Sequence, residues 1–189
     1  MEKLIDLCYD YEFKDEAEGI KYEFVSVGTM EVPKRVTFTP VNGLSNYYNL
    51  GLTNISIDEE GNETASDMSR ENNINDDEKV MLTAFLCALD FLTLDKYKDA
   101  KVIFAGNTVA KQRYYTRKVS THLEELSKTC TIKGGRVHHL QVNIDPDTQE
   151  KIPIGPIPLN EGYTYTDYTI SDARSYQFIT FEVKDELKE

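Results

Sequence analysis

The chain has 189 residues, 40 % of them hydrophobic, and a net charge of −12. That is the size of one domain with a real core, and the acidic balance argues against a general affinity for nucleic acid or anionic membrane. No run approaches the roughly 18 apolar residues of a membrane span, and Cys8, Cys87 and Cys130 stand far apart in no metal spacing, which fits a reducing cytoplasm.

The charge is uneven along the chain. Residues 1–100 hold 9 bases and 21 acids, whereas residues 101–189 hold 12 of each. The first twenty residues are acidic and lack the basic-then-apolar order of a signal peptide. They read as a loosely held strand or tail. Tyr22 to Val27 reads as a strand closed by Gly28. Arg35 to Val41 alternates, with Val36, Phe38 and Val41 facing one way. Asn42-Gly43 is a hairpin-type turn. Tyr47 to Ile57 is a third strand. Short connections make these three an antiparallel meander.

Residues 58–74 are polar, acidic and aperiodic, and read as an exposed loop. Asn75 then caps a helix whose first turn holds Asp76, Asp77 and Glu78, where the dipole favours negative charge. The run VMLTAFLCALDFLTL that follows is apolar on nearly every face, so this is a buried central helix. Val102 to Ala105 is a buried strand, and a Gly106-Asn107-Thr108 turn leads into a helix from Val109 to about Lys128. Cys130 to Ile132 begins a strand that Gly134-Gly135 should break. Val137 to Ile144 and Glu150 to Ile154 flank Asp145-Pro146-Asp147-Thr148, a hairpin around a turn. Tyr163 to Ile170 and Tyr176 to Val183 are late strands. Runs of strands with two helices predict one α+β domain over residues 1–189. Its sheet is mainly antiparallel, in the order β-β-β-α-β-α-β-β, with the two helices on one face. A hairpin-like elaboration is expected at about 133–160.

The charge pattern singles out residues 101–126. From Lys101 to Leu123 there are five bases (Lys101, Lys111, Arg113, Arg117, Lys118) and no acid. On a helical wheel Tyr115, Val119, Leu123 and Leu126 share one face, with His122 at its edge. Arg113, Arg117, Tyr114 and Ala110 lie opposite. Gly106 permits close backbone approach or positive φ. Asn107 and Thr108 can cap a helix N-terminus, which is a ready anion site. The bases sit at the end where the dipole disfavours them, each at a cost of about 0.3–1 kcal/mol. A broken local rule of this kind points to function. The candidate ligand-binding residues are therefore Gly106, Asn107, Thr108, Lys111, Arg113, Tyr114 and Arg117. They would hold a phosphate or carboxylate, or lie along a phosphodiester with Tyr114 stacking. The plainer explanation is that these bases pair with the chain's own acids, for instance those of the 58–78 loop.

Other temptations are weak. His138 and His139 are adjacent on a strand and face opposite ways, so they do not share a metal. Asp145, Asp147 and Glu150 lack the glycine and ligand count of a calcium loop. Cys87 belongs to the apolar helix and reads as inert core. Four late tyrosines (Tyr163, Tyr165, Tyr168, Tyr176) suggest a half-exposed sheet face. No serine or cysteine has an assignable base, no metal site is assigned, and no cofactor is implied.

The segments YEFVSVGTMEVPKRVTFTPV, YYNLGLTN and KVIFAGNTVAKQRYY resemble an uncharacterised family of small bacterial proteins. The shared motifs are Y-x-F-x-S-x-G, Y-N-L and G-[SN]-T-x-A-[RK]-x-R-x-Y, and the likeness spans about residues 20–130. Asn107 stands where the family has serine and Lys111 where it has arginine. The stretch 133–160 is longer than the family norm. The resemblance implies an α+β fold, a small cytoplasmic protein of an accessory or defence-related kind, and attention to Gly106, Thr108, Ala110, Arg113 and Tyr115. It implies no activity.

The leading expectation is a non-enzymatic binding or interaction protein. Its basic turn-helix surface at 106–118 would recognise an acidic protein partner or a phosphate-bearing ligand, with nucleic acid ranked behind both and no membrane. The rival is an enzyme acting on a phosphorylated or nucleotide substrate at the same turn, with Asp76, Asp77 or His122 brought near Gly106. A third reading is a homodimer through the tyrosine-rich strands.

Overall fold

The computed structural model describes residues 5–16, 19–41, 44–66, 77–137, 142–144, 151–153 and 163–188. Strands β1 (Glu12–Glu16), β2 (Gly19–Val27), β3 (Glu31–Pro40) and β4 (Tyr47–Ile57) pair antiparallel in succession. The alternation seen in the sequence drives this. Ile20, Tyr22, Phe24 and Ser26 of β2 are buried, as are Val36 and Phe38 of β3 and Leu50 of β4. Tyr22 stands opposite Val36, and Phe38 opposite Leu50, so one face is apolar and period 2 keeps the other polar. On the polar face Glu23 binds both Lys14 and Arg35. The acidic N-terminal stretch therefore contributes an edge strand.

The reading of 58–74 as a loop needs correction. Glu63–Ser66 is a strand, β5, antiparallel to the end of β4. Asp58 makes the turn: its Oδ1 accepts from the N–H groups of Glu60 at 3.0 Å and Asn62 at 2.7 Å, and Gly61 takes φ +83°. All four β5 residues are exposed, so no hydrophobic alternation marks the strand. Residues 67–74 lie outside the described residues, as do Asn42-Gly43, Asn75 and Asp76.

Helix α1 (Asp77–Thr93) is the expected central helix. Every residue from Val80 to Leu89 is buried, as are Phe91 and Leu92. Phe91 stacks on Phe38 with ring centroids 4.2 Å apart, and Phe85 meets Phe104 at 5.8 Å and Phe181 at 5.5 Å. Burial of such aromatic area dominates a core's energetics.

Strand β6 (Lys101–Phe104) pairs parallel with Tyr47–Asn49 of β4. Helices α2 (Val109–Thr121) and α3 (Leu123–Leu126) follow, then β7 (Cys130–Val137). Strands β8 (Val142–Ile144) and β9 (Lys151–Pro153) form a separate antiparallel pair. Strands β10 (Tyr163–Asp167) and β11 (Phe178–Val183) return to the main sheet. Its order is β1-β2-β3-β4-β6-β11-β7-β10, with β5 also on β4. The fold is mixed α and β, and its nine-stranded sheet is antiparallel except at β4–β6. The described residues contain no helix long and apolar enough to cross a membrane. The turn at 145–148 and His138 and His139 lie outside them.

Four further readings change. Gly134 and Gly135 do not break β7: both lie inside it, opposite Ile179 and Phe178. A Cβ at Gly134 would enter the Tyr176 ring, and one at Gly135 the Phe178 ring, so the glycines make room for aromatics. Tyr168 and Tyr176, expected on a half-exposed face, are buried, at 7 % and 2 % exposure. Val41 joins Ile103 and Phe178 in a small second core, apart from Val36 and Phe38. The second helix stops at Thr121 and not near Lys128, because His122, at φ −110° and ψ 15°, breaks it before α3.

Candidate functional site

The site is built where β6 hands the chain to α2. Gly106 has no positive φ, so close approach is its reason for being glycine. A Cβ there would strike the Gln112 nitrogen and stand 2.8 Å from Gln112 Cα and from the Lys111 carbonyl carbon. The Gly106 N–H donates to Gln112 Oε1 at 2.6 Å. Thr108 is the N-cap, extended at φ −133° and ψ 156°, and its hydroxyl accepts from the Lys111 N–H at 3.2 Å. Gln112 N–H reaches the Thr108 carbonyl at 2.9 Å. Asn107 is exposed and does not cap. Of the donors expected to greet an anion, those of Gly106 and Lys111 are thus engaged within the chain. Those of Val109 and Ala110 have no partner among the described residues.

The buried stripe of α2 is Gln112, Thr116 and Val119. It is rotated from the predicted face: Tyr115 and Leu123 are half-buried at its margin, with Tyr115 stacked on Phe104 at 4.2 Å. The rotation follows from what packs there. The Tyr168 hydroxyl donates to the Thr116 carbonyl at 2.6 Å and bonds Ser120 Oγ at 2.9 Å. Two polar side chains inside a helix stripe are invisible to a hydrophobic wheel, which is why Gln112 was missed.

The bases separate into two groups. Lys101 leaves the site, paired with Glu182 at 3.0 Å. Lys118 binds Glu78 Oε2 at 2.9 Å, and His122 Nε2 lies 3.2 Å from Glu78 Oε1. The Lys118 bond is the main reason the Glu78 carboxyl sits below its ordinary value. For Lys118, pairing with the chain's own acid is therefore correct. Arg113 and Arg117 differ. Both are exposed, they stand one turn apart, and neither has an acid partner among the described residues. Lys111 is half-buried beside them.

Tyr114 does not present a bare ring to solvent. It is half-buried against the core, with the Arg117 guanidinium 5.5 Å and the Lys118 ammonium 5.6 Å from its centroid. It buttresses the basic ridge by cation–π attraction. Nor does His122 approach Gly106: the length of α2, about 20 Å at 1.5 Å per residue, lies between them. The described residues contain no group of three or more metal-ligating side chains.

No curated protein and no solved structure matches the chain. A family model covers residues 8–149, the strands β1 to β8 together with α1, the basic helix and α3. The chain belongs to this family of unknown function, DUF6934.

Proposed function

We propose that the protein is a binding module which captures an acidic protein partner on the solvent face of α2. One observation carries the reading: Arg113 and Arg117 remain exposed and without an acid partner among the described residues, in a chain with 33 acids. Exposed like charges at i and i+4 repel each other along the helix and are costly unless something outside the molecule uses them. Their planar forks suit carboxylates in pairs, and the Tyr114 ring holds Arg117 in place. A small phosphate bound by the turn alone is the weaker form of this reading, because the Gly106 and Lys111 donors are already engaged. The enzymatic rival would need an acid or base at the turn, and His122 is at the far end of the helix. We also read the protein as cytoplasmic, with α1 and α2 covering the same apolar sheet face.

The test is fluorescence anisotropy with a labelled polyglutamate peptide. Binding should weaken as salt rises from about 50 to about 200 mM. Arg113→Ala with Arg117→Ala should weaken it by about tenfold or more at unchanged thermal midpoint, while a polyglutamine peptide should not bind. Unchanged affinity in the double variant refutes the proposal.

A further inference from the structure

The Gln112 carboxamide is the unexplained group of this region. The residue is 7 % exposed, its Oε1 holds the Gly106 N–H, and its Nε2 is buried with no hydrogen-bond partner among the described residues. A buried donor left unmade costs on the order of 1–3 kcal/mol. The oxygen occupies the place on the Gly106 N–H that a ligand oxygen would take.

We infer that the N-terminus of α2 is an oxyanion site in which Gln112 acts as a resident stand-in. When a phosphate or carboxylate oxygen enters, it replaces Oε1 on the Gly106 N–H. The carboxamide turns about its terminal torsion, which is broad and roughly two-fold, and brings the Nε2–H2 to the same oxygen. The unpartnered Val109 and Ala110 N–H groups and the positive end of the helix dipole receive the remaining charge. Displacement then satisfies the Nε2 donor and leaves Oε1 as the unpaired atom, and a buried C=O without a partner is better tolerated than a buried N–H. The site lies at the end of the same helix that carries Arg113 and Arg117, so an acidic residue of a partner seated on that face is a natural source of the oxygen. The inference rests on the proposed binding role for its meaning and on separate atoms for its test.

The experiment is titration of the ¹⁵N-labelled full chain at constant ionic strength, once with inorganic phosphate and once with acetate. The backbone signals of Gly106, Val109 and Ala110 and the Gln112 side-chain NH2 signals are followed. Saturable movement of all four with either anion is expected, and the anion that saturates at lower concentration names the source as phosphate or carboxylate. Gln112→Glu keeps the shape and the acceptor but has no donor to turn. It should weaken the anion by about tenfold or more and weaken polyglutamate capture less than the double arginine variant does. Gln112→Leu, the second variant, should bind the anion more weakly as well. Shifts that do not saturate overturn the inference, as do saturable shifts with unchanged affinity in both variants. Loss of polyglutamate binding in the double arginine variant, with anion shifts intact, separates the two proposals.

Discussion

Gly106→Ala tests the geometry of the turn most directly. The added Cβ would meet three atoms, Gln112 N, Gln112 Cα and the Lys111 carbonyl carbon, the last two at 2.8 Å. All three are backbone of a 13-residue helix, so none can swing aside as a side-chain tip would. Relief requires the 105–107 segment to lift off α2, and that breaks the 2.6 Å Gly106–Gln112 bond. Overpacking costs about 1–3 kcal/mol and the hydrogen bond about 1 kcal/mol, together about 2–4 kcal/mol. For a chain of this length each kcal/mol is worth about 2–4 °C, so the midpoint should fall by roughly 4–16 °C. Thermal and urea unfolding followed by circular dichroism would measure it. Thr108→Ala is the internal standard: it removes only the cap, at about 1 kcal/mol. A Gly106→Ala midpoint within about 1 °C of wild type, or a smaller loss than Thr108→Ala, would refute the close-approach explanation.

Phe91→Ala should cost about 3–5 kcal/mol, read as a lower urea midpoint at unchanged slope, because Phe91 is 1 % exposed and stacks on Phe38. Gly135→Ala should destabilise strongly by driving a methyl into the fully buried Phe178 ring. Adding Phe178→Leu should recover part of the loss, a coupling of about 0.5–3 kcal/mol in a double-mutant cycle. The Glu78 carboxyl is held below its ordinary value of 4.5 by Lys118. A depressed folded-state pKa stabilises above the unfolded value, and that contribution is lost as pH falls through the folded one. Glu78→Gln should therefore flatten the acid limb of the stability curve below about pH 5. The change should be small and erased by salt, since the Glu78 side chain is 54 % exposed.

Where one face of an element is apolar and the other polar, the sequence could be read closely. The burial of Val36 and Phe38 in β3 and the burial of α1 follow from period 2 in one case and an unbroken apolar run in the other. The reading failed where tertiary partners decide. β5 carries Glu63, Thr64, Ala65 and Ser66, a pattern that becomes a strand only because the edge of β4 is there to pair with it. Gly134 and Gly135 look like a break until Tyr176 and Phe178 are laid across them. At the candidate site, the charge anomaly singles out Arg113 and Arg117, and the turn chemistry singles out Gly106 and Thr108. Which bases are already neutralised depends on Glu78 and Glu182, far off in sequence. The burial of Gln112 goes with a rotation of α2 that seats Thr116 and Ser120 against Tyr168, far off in sequence.

The β4–β6 pairing has a consequence for how the molecule assembles. Strands β1 to β5 are stitched by consecutive hairpins, and β6, β11, β7 and β10 form a second antiparallel set. Between them runs a seam of three residues on each side, Tyr47–Asn49 and Lys101–Ile103. Local hairpins close quickly, whereas a parallel seam joining segments some fifty residues apart is a slow, entropically expensive contact. Helix α1 lies across it, with Phe91 on the first set through Phe38 and Phe85 on the second through Phe104 and Phe181. The two half-sheets are thus joined twice, by the three-residue seam that sets their register and by α1 packed over both. The basic helix follows directly from β6, the strand that carries the second half's side of the seam.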